Sequence, residues 1–128
     1  MKKYVLTVCA LICGVSSFAQ NVPDSYEQAK TIWEKTKDSS EFSAYMEDFL
    51  QYNNYYRLDE INNCYKLSKG PVDLILVITH KSVQKYAQIQ YTFTDVNNTK
   101  AQCFKQTYTG LNIKVPPYSP FVIKLKMQ

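Results

Sequence analysis

The run Val72-Asp73-Leu74-Ile75-Leu76-Val77-Ile78-Thr79 constrains this chain more than any other feature. From Leu74 to Val77 it is apolar on both alternating faces, which a β-strand tolerates only when a layer covers each side of the sheet. It is therefore expected to be a central strand, entered through Gly70 and Pro71. The segment after it alternates: Val83, Ala87, Ile89, Tyr91 and Phe93 face one way, interrupted by Lys85, and Gln84, Tyr86, Gln88, Gln90 and Thr92 face the other. That pattern predicts a strand with one buried and one wet face. His80, Lys81 and Ser82 are predicted as the tight turn between the two, without the glycine or asparagine that such turns favour. A last strand is expected where Phe121, Ile123, Leu125 and Met127 alternate with Val122, Lys124, Lys126 and Gln128. Its lysines read as edge protection against unwanted pairing.

Helical spacing flanks this sheet. Asp24 or Ser25 can cap a helix, with Ser25 and Gln28 spaced as a capping box, before Tyr26, Ala29, Ile32 and Trp33, and Asp38 and Glu41 repeat the spacing before Phe42, Tyr45, Met46, Phe49 and Leu50. Two short amphipathic helices in an αα-hairpin follow from that reading. Thr99 and Gln102 open a short helix carrying Ala101, Cys103, Phe104 and Tyr108, and Gly110 is placed to stop it. The tyrosine and asparagine rich segment Gln51–Gly70 carries no clear periodicity. The predicted order is α-α-β-β-α-β, giving an α+β fold with a three-stranded sheet of order 2-1-3. The last strand passes the second and pairs on the far side of the first, through a right-handed crossover helix.

The amino terminus sets the compartment. Lys2 and Lys3 precede an apolar stretch from Tyr4 to Val15, and Ser17 and Ala19 stand before Gln20 as small residues of a cleavage site. This is the pattern of a secretory signal, cut after Ala19; the apolar run falls short of the roughly 20 residues a membrane span needs. Removing residues 1–19 from 128 leaves 109, enough for one domain. We divide it into a helical segment, 20–60, and an α+β segment, 61–128, folded as one compact unit. Of the four cysteines, Cys64 and Cys103 remain after cleavage, and in an oxidising periplasm they are expected to form a disulfide. No CxxC motif marks a redox site, and His80, the single histidine, cannot complete a zinc site with two cysteines.

Charge divides along the chain. Residues 20–60 hold four cations against nine acids, a net of −5, whereas residues 61–128 hold nine lysines against Asp73 and Asp95, a net of +7. Mutual attraction of an acidic helical layer and a basic sheet accounts for the split. A basic face left open would instead recruit an acidic protein, and an exported chain makes nucleic acid an unfavoured partner.

The carboxy-terminal half also carries a pattern: Cys64, Gly70 and Val72 before the hairpin, Ala101, Cys103 and Phe104 in the short helix, and Pro116, Pro117, Pro120 and Phe121 leading into the last strand. In residues 62–128 it resembles the TonB carboxy-terminal-like domains of small exported bacterial proteins. The resemblance implies a small sheet backed by helices and a role in contacting other envelope proteins, often through an exposed strand edge. Energy-transducing members keep a membrane anchor, a long proline-rich spacer and a glycine in the first hairpin. This chain departs from that pattern, so coupling to a proton gradient is not implied.

No catalytic constellation is apparent. GxSxG, HExxH and Walker motifs are missing, and the acid pairs Glu47-Asp48 and Asp59-Glu60 are adjacent residues that point apart on a helix. The expected function is a non-catalytic, cofactor-free protein-binding domain of the periplasm. Its partner would be another periplasmic or envelope protein, recognised through Tyr52, Tyr55 and Tyr56 or through the strand edge at Val122, Lys124 and Lys126. The sharpest form of that expectation is an immunity protein or inhibitor that occludes a toxin or hydrolase acting in the periplasm. The alternatives are an accessory subunit of an envelope assembly and a small wall- or lipid-acting enzyme using His80 as base with Asp73 beside it.

Overall fold

Residues 72–79 form the central strand that the apolar run requires, and Leu74 through Ile78 have no solvent exposure. The computed structural model describes residues 21–128, so the export signal read in residues 1–19 lies outside the described residues. In chain order the elements are α1 (Tyr26–Thr36), α2 (Ser40–Tyr56), α3 (Leu58–Tyr65), β1 (Val72–Thr79), β2 (Ala87–Thr94), α4 (Thr99–Tyr108), β3 (Asn112–Ile113) and β4 (Phe121–Met127). The fold is α+β. Its antiparallel sheet has the order β3-β2-β1-β4, so four strands replace the expected three. The added strand, β3, pairs only Ile113 with Ala87 and Asn112 with Gln88, and two residues are too few to show a period in sequence.

The expected strand order around β1 is present. β1 pairs with β2 on one side and with β4 on the other, both antiparallel, so β4 runs in the direction of β2 and lies beyond β1. Between them the chain climbs through α4 and turns at Gly110, whose φ of +90° is a left-handed conformation that glycine adopts without steric cost. The Gly110 N–H donates to Ile89 O at 2.8 Å, which starts the β3 pairing.

The two layers on the sheet are unequal. Val72, Leu74, Leu76 and Ile78 of β1 face a large core with Ile89, Phe121, Ile123, Phe42, Tyr45, Phe49, Ile61, Cys64, Phe104 and Tyr108. Ile75 and Val77 face a smaller cluster with Val122 and Ala29, flanked by Tyr26, Ile32, Trp33 and Phe93. Thus α2, α3 and α4 cover one face and α1 alone covers the other. The amino-terminal helices are not a packed hairpin: they lie on opposite faces of the sheet, and Trp33 touches both clusters. Phe42 stacks on Phe121 at 5.7 Å and Tyr45 meets the same ring edge-on at 4.8 Å, which places the start of α2 over the start of β4.

Local corrections have local causes. β2 begins at Ala87 rather than Val83, and His80–Tyr86 form a loop instead of a tight turn, because no residue there suits the left-handed corners of a two-residue hairpin. A bulge then inserts Gln90, since Ile78 pairs with Ile89 while Val77 pairs with Tyr91. The extra residue inverts side-chain parity. Ala87 and Ile89 therefore face the large core, whereas Phe93 packs on the α1 side, stacked with Tyr91 at 5.6 Å. Two caps fall one residue from the expected position. Ser39, not Asp38, accepts from the Phe42 N–H, and Asn98, not Thr99, accepts from the Ala101 N–H.

The segment without clear periodicity becomes the end of α2 and then α3, which crosses the 60/61 division. Side chains from both sides of that division share the large core, and within the second segment the Cys64–Cys103 disulfide joins α3 to α4. A buried lysine reinforces the junction. Lys100, 3% exposed, donates from Nζ to Gly70 O at 2.7 Å and lies 5.1 Å from the Tyr65 ring centre.

Candidate partner-binding surface

The sequence points to two surfaces, and the structure treats them differently. On β4, Val122 is 1% exposed and packs under α1, so its side chain is core. Phe121 and Ile123 are equally closed. A partner strand cannot pair along Phe121–Ile123 without displacing the groups that cover it. Lys124 is partly buried and engaged within the fold: its Nζ lies 3.7 Å from the Asp73 carboxylate and 4.9 Å from the Trp33 ring centre. A cation shared by a carboxylate and an indole face is a poor outward-facing hook. Lys126 alone of the three is exposed.

The tyrosines on α2 behave otherwise. Along this helix Phe42, Tyr45, Phe49 and Asn53 follow the spacing of one face and are buried. Leu50, assigned to that stripe from sequence, lies outside it and is 47% exposed. Tyr52, Tyr55 and Tyr56 occupy the flank next to the buried stripe, with ring centres 5.2 Å apart for Tyr52 and Tyr56 and 6.3 Å for Tyr55 and Tyr56. Tyr55 is 85% exposed and Tyr56 is 68% exposed. Burying such a ring in the core would stabilise the fold by about 1.5–3 kcal/mol, so two of them left in contact with water are not explained by folding. Tyr65, the fourth tyrosine of the segment, turns inward and meets Phe104 edge-on at 5.4 Å.

A notch of about 190 Å³ adjoins these rings, lined by Tyr45, Asp48, Phe49, Tyr52, Ile113 and Lys114. Its floor is rigid, because the Tyr45 hydroxyl donates to Lys114 O at 2.6 Å and the Lys114 ammonium pairs with Asp48. Burial, with the Asp48 carboxylate nearby, pushes the Tyr45 phenol well above the ordinary tyrosine range. Sequence reasoning missed the notch because β3 supplies Ile113. It missed the Trp33–Lys124–Asp73 set because no local period links a helix to a strand about 90 residues later.

The residues of the enzymatic alternative are not brought together. Asp73 and His80 sit at opposite ends of β1, roughly 20 Å apart at the rise of a strand. The His80 Nε2 contacts Gln84 O at 2.6 Å, and the His80 backbone N–H donates to Ser119 Oγ at 3.0 Å. Among the described residues no cluster of three or more histidine, cysteine or acidic side chains could hold a metal ion. No described helix is long and apolar enough to cross a membrane. Comparison of the chain with protein-family models, curated proteins and solved structures finds no match.

Proposed function

We propose that this chain is an exported, non-catalytic protein-binding domain of the periplasm that docks its partner on the Tyr52, Tyr55 and Tyr56 face of α2. The observation that carries the reading is the pair of exposed, mutually touching rings of Tyr55 and Tyr56 beside a preformed notch. Tyrosine combines large contact area with few rotatable bonds and is enriched among residues that dominate binding energy. Glu47, Asp48, Asp59 and Glu60 lie in the same stretch of chain. Asp48 and Glu60 pair with Lys114 and Arg57, which leaves Glu47 and Asp59 to favour a partner with an apolar knob and a basic rim.

A toxin or hydrolase whose substrate cleft is occluded by this face is the sharpest form of the proposal, and an envelope assembly subunit is the broader one. The resemblance to TonB carboxy-terminal-like domains enters on the same terms. It favours protein contact, but the covered start of β4 moves that contact from the strand edge to the helix. The test is affinity purification of tagged protein from its own envelope fraction, run in parallel with Tyr55→Ala/Tyr56→Ala. A stoichiometric species recovered with the parent and reduced at least tenfold with the variant is the expected result. Equal recovery with both proteins rejects the surface, and no stoichiometric species with the parent rejects the binding role.

A further inference from the structure

The loop between β1 and β2 is shaped for a different occupant. All six residues from Lys81 to Tyr86 are exposed. The Gln84 N–H donates to Lys81 O at 2.8 Å, closing a turn whose two corners are Ser82 and Val83. Val83 is 93% exposed. Turn corners in water favour glycine, asparagine, aspartate or proline, and a β-branched apolar side chain there has neither a conformational nor a solvation reason to be present. Tyr86 is 54% exposed, and the Lys85 Nζ lies 5.6 Å from its ring centre. The loop is anchored to the fold at its base through the His80 contacts to Gln84 O and Ser119 Oγ.

The surroundings share this character. Tyr118, next to Ser119, is 36% exposed, and Val22 is 38% exposed. Val22 lines a crevice of about 300 Å³ with Thr79, His80, Lys81, Gln90, Ser119 and Pro120. The chain therefore enters the described fold at the end of the sheet that carries the loop. Residues 74–94 and 96–128, which supply this loop and its Tyr118 neighbour, contain no aspartate or glutamate.

We propose that the Lys81–Tyr86 loop is a docking element for an anionic lipid surface, with Val83 entering the headgroup boundary, Tyr86 at the interface and Lys81 and Lys85 on the lipid phosphates. Exposed lysine, an interfacial tyrosine and a projecting apolar tip are the groups such a boundary rewards. A protein partner is disfavoured by size. A specific protein interface takes about 800 Å² from each side, more than one six-residue turn presents, whereas a bilayer needs no shape complementarity. The loop shares no residue with the tyrosine face or its notch, so different substitutions test the two proposals.

The test is co-flotation of the exported protein, recovered from the envelope, with vesicles of 30% phosphatidylglycerol in phosphatidylcholine and with phosphatidylcholine alone. The readout is the ratio of the two partition coefficients, which cancels any contribution of other apolar segments. The parent ratio is expected to be well above one and to fall in 0.5 M salt. An acidic surface contributes a factor of about five per lysine, so Lys81→Glu/Lys85→Glu should reduce the ratio at least tenfold. Val83→Ser should reduce anionic binding a few fold, and Lys66→Glu/Lys69→Glu should leave the ratio within twofold. A parent ratio near one overturns the proposal. So does an equal loss in the Lys66/Lys69 variant, or complete displacement by soluble polyglutamate, which would make the ligand any acidic polymer.

Discussion

Two buried phenols illustrate how differently one side chain can be used. Tyr45 has a partner for its hydroxyl, the carbonyl of Lys114, whereas the Tyr108 hydroxyl is buried near Asn53 without completing a hydrogen bond, and Asn53 Oδ1 is unpaired as well. Tyr45→Phe should therefore cost about 1 kcal/mol in urea unfolding, and Tyr108→Phe should stay within about 0.5 kcal/mol of the parent or stabilise it. A loss at Tyr108 equal to that at Tyr45 would mean that the hydroxyl is satisfied after all. Both phenols are pushed above the ordinary range, chiefly by burial. The unfolded chain then releases protons near pH 10 that the folded chain retains. Stability should hold below about pH 10 and decline above it, by up to about 1.4 kcal/mol per pH unit for each phenol. A double Tyr45→Phe/Tyr108→Phe variant with the same alkaline decline would contradict this assignment. At this scale the sequence is legible where chemistry is local: Gly110 stops its helix, and Ser25 caps its own by accepting from the Gln28 N–H. It is opaque for Lys100, whose burial depends on a carbonyl 30 positions away.

Among the elements, α3 is the one that periodicity hides. Its eight residues, Leu58–Tyr65, bury only Ile61 and Cys64, so no stripe emerges from the surrounding asparagines and tyrosines. A helix this short is marginal in isolation, since nucleation costs more than two turns return. Here the disulfide to α4 fixes it, closing a loop with a sequence separation of 39. On the chain-entropy model that closure contributes about 4 kcal/mol, so Cys64→Ser/Cys103→Ser should lower unfolding free energy by roughly 3–4 kcal/mol. Circular dichroism melts with and without reductant would check it; coincident melts would argue that the bridge constrains little. The β-bulge shows the opposite limit of legibility. Alternation in residues 83–93 is clean in sequence, yet one inserted residue reverses which side chains reach each face. Only the pairing partner reveals the insertion. The candidate site divides in the same way: the α2 tyrosines are visible in sequence, but their notch is built by β3.

Taken as a whole, the molecule uses its divided charge sparingly. Of the ion pairs between described residues, Lys114–Asp48 joins the acidic first half to the basic second, while Lys37–Glu34, Arg57–Glu60 and Lys124–Asp73 each stay within one half. Exposed pairs contribute about 0–1 kcal/mol each, so raising salt from 0.05 to 0.5 M should change stability by less than about 1 kcal/mol. A larger loss in a salt-dependent urea titration would show that long-range attraction between the halves matters more than their contacts. The global order of β1, β2 and β4 was legible because a doubly apolar strand admits few positions, whereas the split of α1 and α2 across the sheet was not, since both helices are amphipathic and β1 offers an apolar surface on each face. That split has a consequence for synthesis. The seat of α1 is made by Ile75 and Val77 of β1 together with Val122 of β4, an element that leaves the ribosome long after α1 does. The first helix therefore cannot dock on a nascent chain until the last strand has been delivered. A product truncated before β4 carries an unseated helix and a bare apolar strip, a ready mark of incompleteness for proteases to read.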